Sequence, residues 1–470
     1  MTNDDKKDTP IIVWFRLDLR THDHPALHTA IQESDEIIPV YIFDEDEISG
    51  PTSSSNRNRF LLESLTDLKE SLKKAGGDLV IRHGDAKKAL VELADETGAK
   101  SVYYTAEYSP SSLKRDKNIE EALSSNGIEA RSFGGYLAVS SLQKLLTKTG
   151  TEYKVFTPFW KTWSEVVRRD VVPAPKVMRI PKVDLGTLPN LKTISNKDEL
   201  SADVVRGGEM EARSHLHAFL DGPIDDYRAD NNDMGKEGTS KLSPYLHFGC
   251  VSVREIETLL PDSEGARSWH RQLAWRDFYH YILFHFPHPE REFQERYRNY
   301  QWSKRPQLLN AWKEGQTGYP AVDAAMRQLK KEGWMHNRGR LIVGSFLTKD
   351  LGIDWREGER YFMKWLLDGD TANNNGNWQW IASVGVDPAP LFRRLYNPSS
   401  QRDRYDPEGV YVRTYIPELK LVPDKYLSEP WKMSIEDQHT YRCIIGKDYP
   451  APIVDHKEAR AAALERYRSV

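Results

Sequence analysis

Asp368-Gly-Asp-Thr-Ala-Asn-Asn-Asn-Gly-Asn-Trp-Gln-Trp380 combines residues that belong to different kinds of structure. Asn and Gly mark turns and left-handed backbone. Trp378 and Trp380, two apart, mark a core or a recognition surface. Both kinds packed into thirteen residues point to a polar ligand held against aromatic rings. The other reading of the same residues is an Asn-rich turn leading into a core helix, since composition bias is a prior rather than a proof.

Working outward, Trp334-Met-His-Asn337-Arg338-Gly-Arg340-Leu341 and Asp354-Trp355-Arg-Glu-Gly-Glu359 lie upstream. Trp14-Phe-Arg-Leu-Asp-Leu-Arg20 stands near the start and Pro452-Ile-Val-Asp-His456 near the end. Together these runs resemble the photolyase–cryptochrome family, and most closely its microbial class I enzymes that repair cyclobutane pyrimidine dimers.

The 470 residues suffice for two or three domains and a large core. A net charge of -4 announces no bulk nucleic-acid binder, so a DNA site must be a local basic patch. Cys250 and Cys443 are far apart, which argues against a zinc site or disulfide scaffold and fits a reducing cytoplasm. The first residues are charged, without an apolar signal core. No stretch approaches the roughly 20 apolar residues of a membrane span. The expectation is a soluble cytoplasmic monomer.

Ile11–Phe15, Ile37–Phe43, Leu79–Ile81 and Ser101–Tyr104 read as strands. Segments near 56–75, 85–97 and 111–126 carry helical periodicity, with Gly76, Gly98 and Gly127 as stops. Strand–helix alternation means a Rossmann-like, doubly wound parallel sheet over residues 10–136. No G-x-G-x-x-G follows the first strand, so this is not an ordinary dinucleotide site. Arg16-Leu-Asp18-Leu-Arg20 sits at the end of that strand, where such folds bind ligands. Residues 137–205 read as a long linker, broken by Pro173, Pro175, Pro181 and Pro189 and wrapping the surface between two domains. Its Tyr153-Lys-Val-Phe-Thr-Pro-Phe-Trp160 looks like the family's linker motif. Residues 206–470 read as an all-α domain, with helices expected at 207–222, 252–260, 266–285, 306–314, 319–332, 335–349 and 356–367.

The resemblance implies that this C-terminal domain binds FAD non-covalently. Tyr227 and Thr239-Ser240-Lys241-Leu242-Ser243, after Gly238, match the segment that grips the diphosphate and ribityl chain. On residue types alone the same run is an ordinary helix cap. Trp269 and Gln272 match the next wall, with Arg276 and Asn337 also at the cofactor. Arg340 and Asp368 would pair beside the isoalloxazine, followed by Gly369; Asp370 would accept from the ring N3–H or a ribityl hydroxyl, and Asn374 would face N5. Trp378, Trp355 and Trp302 match the tryptophans that relay electrons to photoexcited flavin; without the resemblance they read as core.

Gln272, Trp275, Arg276 and Tyr279 are three or four apart, so a helix presents them on one face. Trp275 and Trp380 match the aromatic walls that sandwich an extruded dimer, with Asn337 and Leu341 beside them. Stacking on such walls is worth about 1–3 kcal/mol per base. Arg276, Arg338 and one of Arg393 or Arg394 would contact phosphates. The implied partner is double- or single-stranded DNA carrying a pyrimidine dimer.

Two positions depart from the class I pattern. Gln272 stands where class I enzymes usually carry Glu, and Gln is more typical of (6–4) photolyases and animal cryptochromes; Leu341 replaces a common Met. Yet Asn337 and Leu341 also stand where (6–4) enzymes carry two catalytic His, which disfavours that reading. A cryptochrome-like light sensor would need a signalling tail, and the chain ends about where the catalytic fold should. An ordinary flavin oxidoreductase lacks its nicotinamide motif. For an antenna pigment, Ser109 replaces the Glu of folate-binding relatives, whose Cys-Lys pair is missing after Phe286. Asp44 and Glu107 match acidic residues of deazaflavin-binding relatives. The pattern therefore leans to a deazaflavin over methenyltetrahydrofolate. No metal site is expected.

Overall fold

The computed structural model describes residues 9–50, 53–195 and 199–469. Near the start, β1 (Ile11–Phe15) and β2 (Ile37–Phe43) are buried at every position. Continuous apolar strands of this kind need cover on both faces, as a parallel sheet provides. With β3 (Val80–His83), β4 (Ser101–Thr105) and β5 (Glu129–Phe133) they form one parallel sheet in the order β3-β2-β1-β4-β5. The β5 strand was not expected. Its Glu-Ala-Arg-Ser-Phe sequence is largely exposed at the sheet edge and has no apolar alternation; pairing with β4 makes it a strand. The helix Pro25–Glu33 was also not expected, and its N-terminus is held by the His24 side chain.

The Arg16–Arg20 run meets the expectation of a ligand site only in part: Leu17 lines a cavity between the two halves, and the charged residues are engaged inside the fold. Arg16 pairs with Glu107 at 3.0 Å and Asp116 at 2.6 Å, and Asp18 with His24 at 2.8 Å. Arg20, 1% exposed, donates to the carbonyls of Asp23, Gly135 and Gly249. Gly249 belongs to the helical half, so the strand end welds the two halves together.

The linker is corrected in part. Its first stretch is core: Leu137, Val139, Leu142, Phe159 and Trp163 are buried, and helix Phe156–Glu165 packs on helix Glu264–His285. Its later stretch does run over the surface, with Val167 and Val177 exposed, and returns to the sheet. There Arg179 and Leu185 accept from the backbones of Ile37 and Ile81.

From Glu209 onward the chain is helical. Residues Thr371–Ala382 form a helix N-capped by Asp370, so the Asn residues expected in a turn are helical. A single hydrophobic cluster joins Phe15 and Leu65 of the N-terminal half to Tyr245, Phe278 and Leu367 of the helical half. A second, wholly helical cluster surrounds Trp312, Phe346 and Trp355. Among the described residues no helix is long and apolar enough to cross a membrane.

Candidate functional site: a cavity and its tryptophans

A cavity of about 430 Å³ opens in the helical half. Tyr227, Thr239, Ser240, Lys241, Leu242, Ser243, Trp269, Gln272, Trp275, Arg276, Tyr279, Asn337, Arg340, Leu341, Asp368, Asp370, Asn374, Trp378 and Trp380 all line it. The 238–243 stretch and the helices Glu264–His285, Asn337–Ser345 and Thr371–Ala382 supply most of these distant residues, with Tyr227 from the helix Pro223–Asp230.

The loop fits closely. A Cβ on Gly238 would collide with Asp230 backbone and side chain. Ser240 accepts from the Trp269 indole N–H at 3.2 Å, and Ser243 from that of Trp334 at 3.2 Å. Across the cavity, Arg340 Nη2 lies 2.8 Å from Asp368 Oδ2. Burial opposes ionisation of Asp368, but Arg340 holds its carboxyl below the usual range. Its Oδ1 is buried without a hydrogen bond among the described residues. Asp370 has a second duty, accepting from Asn373 N at 2.8 Å as helix N-cap. Asn374 donates through Nδ2 to the Glu359 carbonyl at 3.0 Å. Its carbonyl oxygen is therefore the end left for a cavity ligand.

At the mouth stand two half-buried tryptophans. Trp275 stacks on Phe156 at 3.6 Å with the rings 6° from parallel, and Arg394 Cζ lies 3.9 Å over Trp380. Gln272 is exposed beside them.

Some expected site residues lie elsewhere or are otherwise engaged. Gly369 faces Arg57 and lines a separate cavity of about 220 Å³ between the two halves. Arg276 donates to the carbonyls of Tyr136 and Leu246, and Arg394 is buried, donating to those of Trp380 and Asp387; both guanidiniums are committed inside the fold and not free for phosphate. Arg393 is exposed. Arg338 is half-buried, bonded to Asn232 at 2.6 Å and stacked over Tyr405. Glu107 and Ser109 line the inter-half cavity, while Asp44, at the end of β2, does not.

Trp378 lines this cavity, whereas Trp355 and Trp302 do not. Gly358 packs against the Trp378 ring, one turn along the helix Trp355–Trp365. A bridge between Ser303 and Ile353 sets Trp302 beside the start of that helix. Trp378 is 3% and Trp355 0% exposed, and Trp302 is half-buried. The order runs from cavity to periphery.

The sequence reading missed His247, Trp334, Phe362 and Asn377 on the cavity wall. Burial pushes the His247 imidazole down to about 4, so it is neutral at neutral pH. Its signal was its place four residues after Ser243, on the same short helix.

Residues 11–178 match DNA photolyase, and residues 269–469 match the FAD binding domain of DNA photolyase. The deoxyribodipyrimidine photo-lyase of Streptomyces griseus is 39% identical over 464 residues, covering 98% of this chain and 99% of that protein. This chain belongs to the DNA photolyase family. A bacterial class III photolyase from Agrobacterium tumefaciens superposes with a TM-score of 0.93 at 37% identity, over 100% of this chain and 99% of that one. A cryptochrome from Synechocystis sp. PCC6803 superposes with a TM-score of 0.88 at 32% identity, over 98% of this chain and 99% of that one.

As a photolyase-family chain it takes FAD as cofactor, and the cavity suits that group. Hydroxyls of Thr239, Ser240 and Ser243, the Arg340–Asp368 pair and the carbonyl end of Asn374 line it together with the rings of Trp269, Trp275, Trp378 and Trp380.

Proposed function

We propose that this protein is a light-driven lyase that splits cyclobutane pyrimidine dimers in DNA. The observation that carries the reading is one cavity with a flavin-type polar floor and a mouth walled by Trp275 and Trp380. When bound, FAD supplies the one-electron chemistry: an electron passes from its excited reduced form to the dimer and returns after the ring opens. The chain supplies binding, orientation and electrostatics. Tyr227 and residues 239–243 hold the diphosphate and ribityl chain, with Trp269 as a wall. Arg340 places a fixed cation beside the ring system, and its pairing with Asp368 keeps it there. Asn374, its amide N–H committed to Glu359, would offer its carbonyl oxygen to the ring system. Trp275 and Trp380 sandwich the extruded dimer, whose poor stacking makes extrusion cheaper than for an intact base. Gln272, Asn337, Leu341 and Tyr279 shape its edge. Trp378, Trp355 and Trp302 refill the flavin with electrons.

The finer placement in class I is our reading of the sequence motifs, set against a class III neighbour by overall structure. We assign residues 10–136 to an antenna domain, 137–205 to the connection and 206–470 to FAD and lesion binding. The inter-half cavity with Glu107 is the place for an antenna pigment. Two buried free cysteines support a reducing cytoplasm, with the protein acting as a monomer on single- or double-stranded DNA. The cryptochrome likeness favours light sensing as the second reading. One experiment separates them: reduced protein is illuminated with a dimer-containing oligonucleotide and restored thymines are measured against a dark control. Recovery of thymine only in the light is expected. FAD-replete protein that restores none would leave the sensor reading.

A further inference from the structure

Trp355 is fully buried, yet a matched pair of charges is fixed on it. Its indole N–H points to Glu292 Oε1 at 3.4 Å. The same oxygen accepts from Arg356 Nη1 at 2.8 Å, and the Arg356 guanidinium carbon lies 4.5 Å over the Trp355 ring. An anion therefore sits at the ring's N–H edge and a cation over its face. Asp354 adds a second carboxylate to Arg356 at 3.2 Å.

Glu292 is 5% exposed, in a segment anchored to the relay helices. Gln379 and Asn375, on the helix that carries Trp378, bond to the backbone of Pro289, Arg291 and Phe293 on either side of it. Arg356 also donates to the Glu290 carbonyl at 2.8 and 3.0 Å. Burial works against the charged form of Glu292, yet Arg356 holds its carboxyl below the usual range, so it is ionised. Glu292 is buried and Arg356 half-buried, and charges held in place in this way act on a new charge without reorganising first.

We infer that Glu292 and Arg356 are positioning residues of the electron relay: Glu292 stabilises oxidised Trp355, Arg356 opposes it, and together they set the level of the middle step. The inference rests on the relay reading of Trp378, Trp355 and Trp302. One electron moves per step toward the cavity: from Trp378 to photoexcited oxidised flavin, from Trp355 to oxidised Trp378, and from Trp302 to oxidised Trp355. A dissolved thiol reductant then refills Trp302. No bond breaks, and the Trp355 proton stays on nitrogen, hydrogen-bonded to Glu292. Were the middle step too high, the electron would return from Trp378 to Trp355 before Trp302 could act; were it too low, Trp355 would hold the oxidation.

The test uses FAD-loaded protein carrying Trp302→Phe, so that oxidation stops at Trp355, with the radical's lifetime read by flash photolysis. Glu292→Gln should shorten it by about tenfold, within the reach of a nearby unit charge in a protein interior, and Arg356→Gln should lengthen it. Opposite signs are the signature, because simple damage to packing would move both the same way. In ultraviolet resonance Raman spectra of the holoprotein, Glu292→Gln should also weaken one indole N–H hydrogen bond, and that difference should vanish in a Trp355→Phe background. Lifetimes that both shorten, or both stay unchanged, overturn the inference. A control with Trp302→Phe and Trp355→Phe must lose the long-lived radical; if it does not, the relay reading itself has failed.

Discussion

At the scale of single residues, Gly358 is the one whose absent side chain matters most to the relay. A Cβ there would enter the space of the Trp378 ring. Gly358→Ala should therefore cost about 1–3 kcal/mol by overpacking, against which better helix propensity returns at most about 1 kcal/mol. Urea denaturation should show a net loss, and photoreduction of oxidised FAD should slow as the indole is displaced. A variant as stable as wild type with unchanged photoreduction would show that the ring has room. The sequence reading quoted the run from Trp355 through Gly358 but could not say what the glycine faces, because that depends on a helix about twenty residues later. The same limit hid Glu292, which carries no motif and gains its meaning from Trp355 and Arg356. Gln272 is the opposite case, readable as a departure from sequence alone and placed by the structure at the exposed cavity mouth. A neutral amide makes weaker hydrogen bonds than a charged or acidic group, by roughly a factor of two. Gln272→Glu should keep FAD, leave dimer affinity equal or better, and raise the repair yield per photon on a defined dimer. A clear fall in yield at full flavin occupancy would count against the dimer as substrate.

At the scale of elements, helices with strong periodicity were legible and the Asn-rich one only half so. Asn is a poor helix former, yet Thr371–Ala382 is helical because its amides bond outward to other segments, Asn374 to Glu359 and Gln379 to Arg291. Tertiary hydrogen bonds override local preference there, and no sequence window contains the partners. The helix Asn337–Ser345, which carries Arg340 and Leu341 to the cavity, has an unusual N-cap. His336 Nδ1 accepts from Arg338 N at 3.1 Å, a role that requires a neutral ring. Burial first, then Arg338, Arg340 and Lys241, push this imidazole down to about 4. The folded pKa is thus below the unfolded value, so the contribution is complete above about pH 6.5 and is lost as pH falls towards 4. His336→Asn keeps a capping acceptor and removes the titration. Relative to this variant, wild type should lose on the order of 2 kcal/mol between pH 7.5 and 5. Parallel urea midpoints for the two proteins across that range would refute a neutral histidine cap.

At the scale of the whole molecule, the order of an α/β half, a connection and a helical half could be read from strand–helix alternation and proline spacing. The way the halves join could not. The Arg16–Arg20 run looked like a ligand-facing strand end and proves to be mainly a weld, because Arg16 and Asp18 are paired with side chains and the Arg20 partners are backbone carbonyls that no side-chain pattern reveals. Arg20 donates to Asp23, to Gly135 just before the connection and to Gly249 in the helical half. The shared hydrophobic cluster runs through the same junction. Arg20→Ala would leave these carbonyls short of a donor and open a large hole, which together should cost on the order of 3–5 kcal/mol. If the halves fold as one cooperative unit, that loss must appear in both of them. Far-ultraviolet circular dichroism and FAD release, followed in the same urea titration, should shift together to lower denaturant in Arg20→Ala. Asp85→Ala provides the contrast, since it removes an exposed cap on the sheet side and should shift both signals only slightly, by about 1 kcal/mol. Flavin release that holds its wild-type midpoint while the dichroism signal splits into two steps would mean that the halves unfold independently and that Arg20 serves the sheet alone.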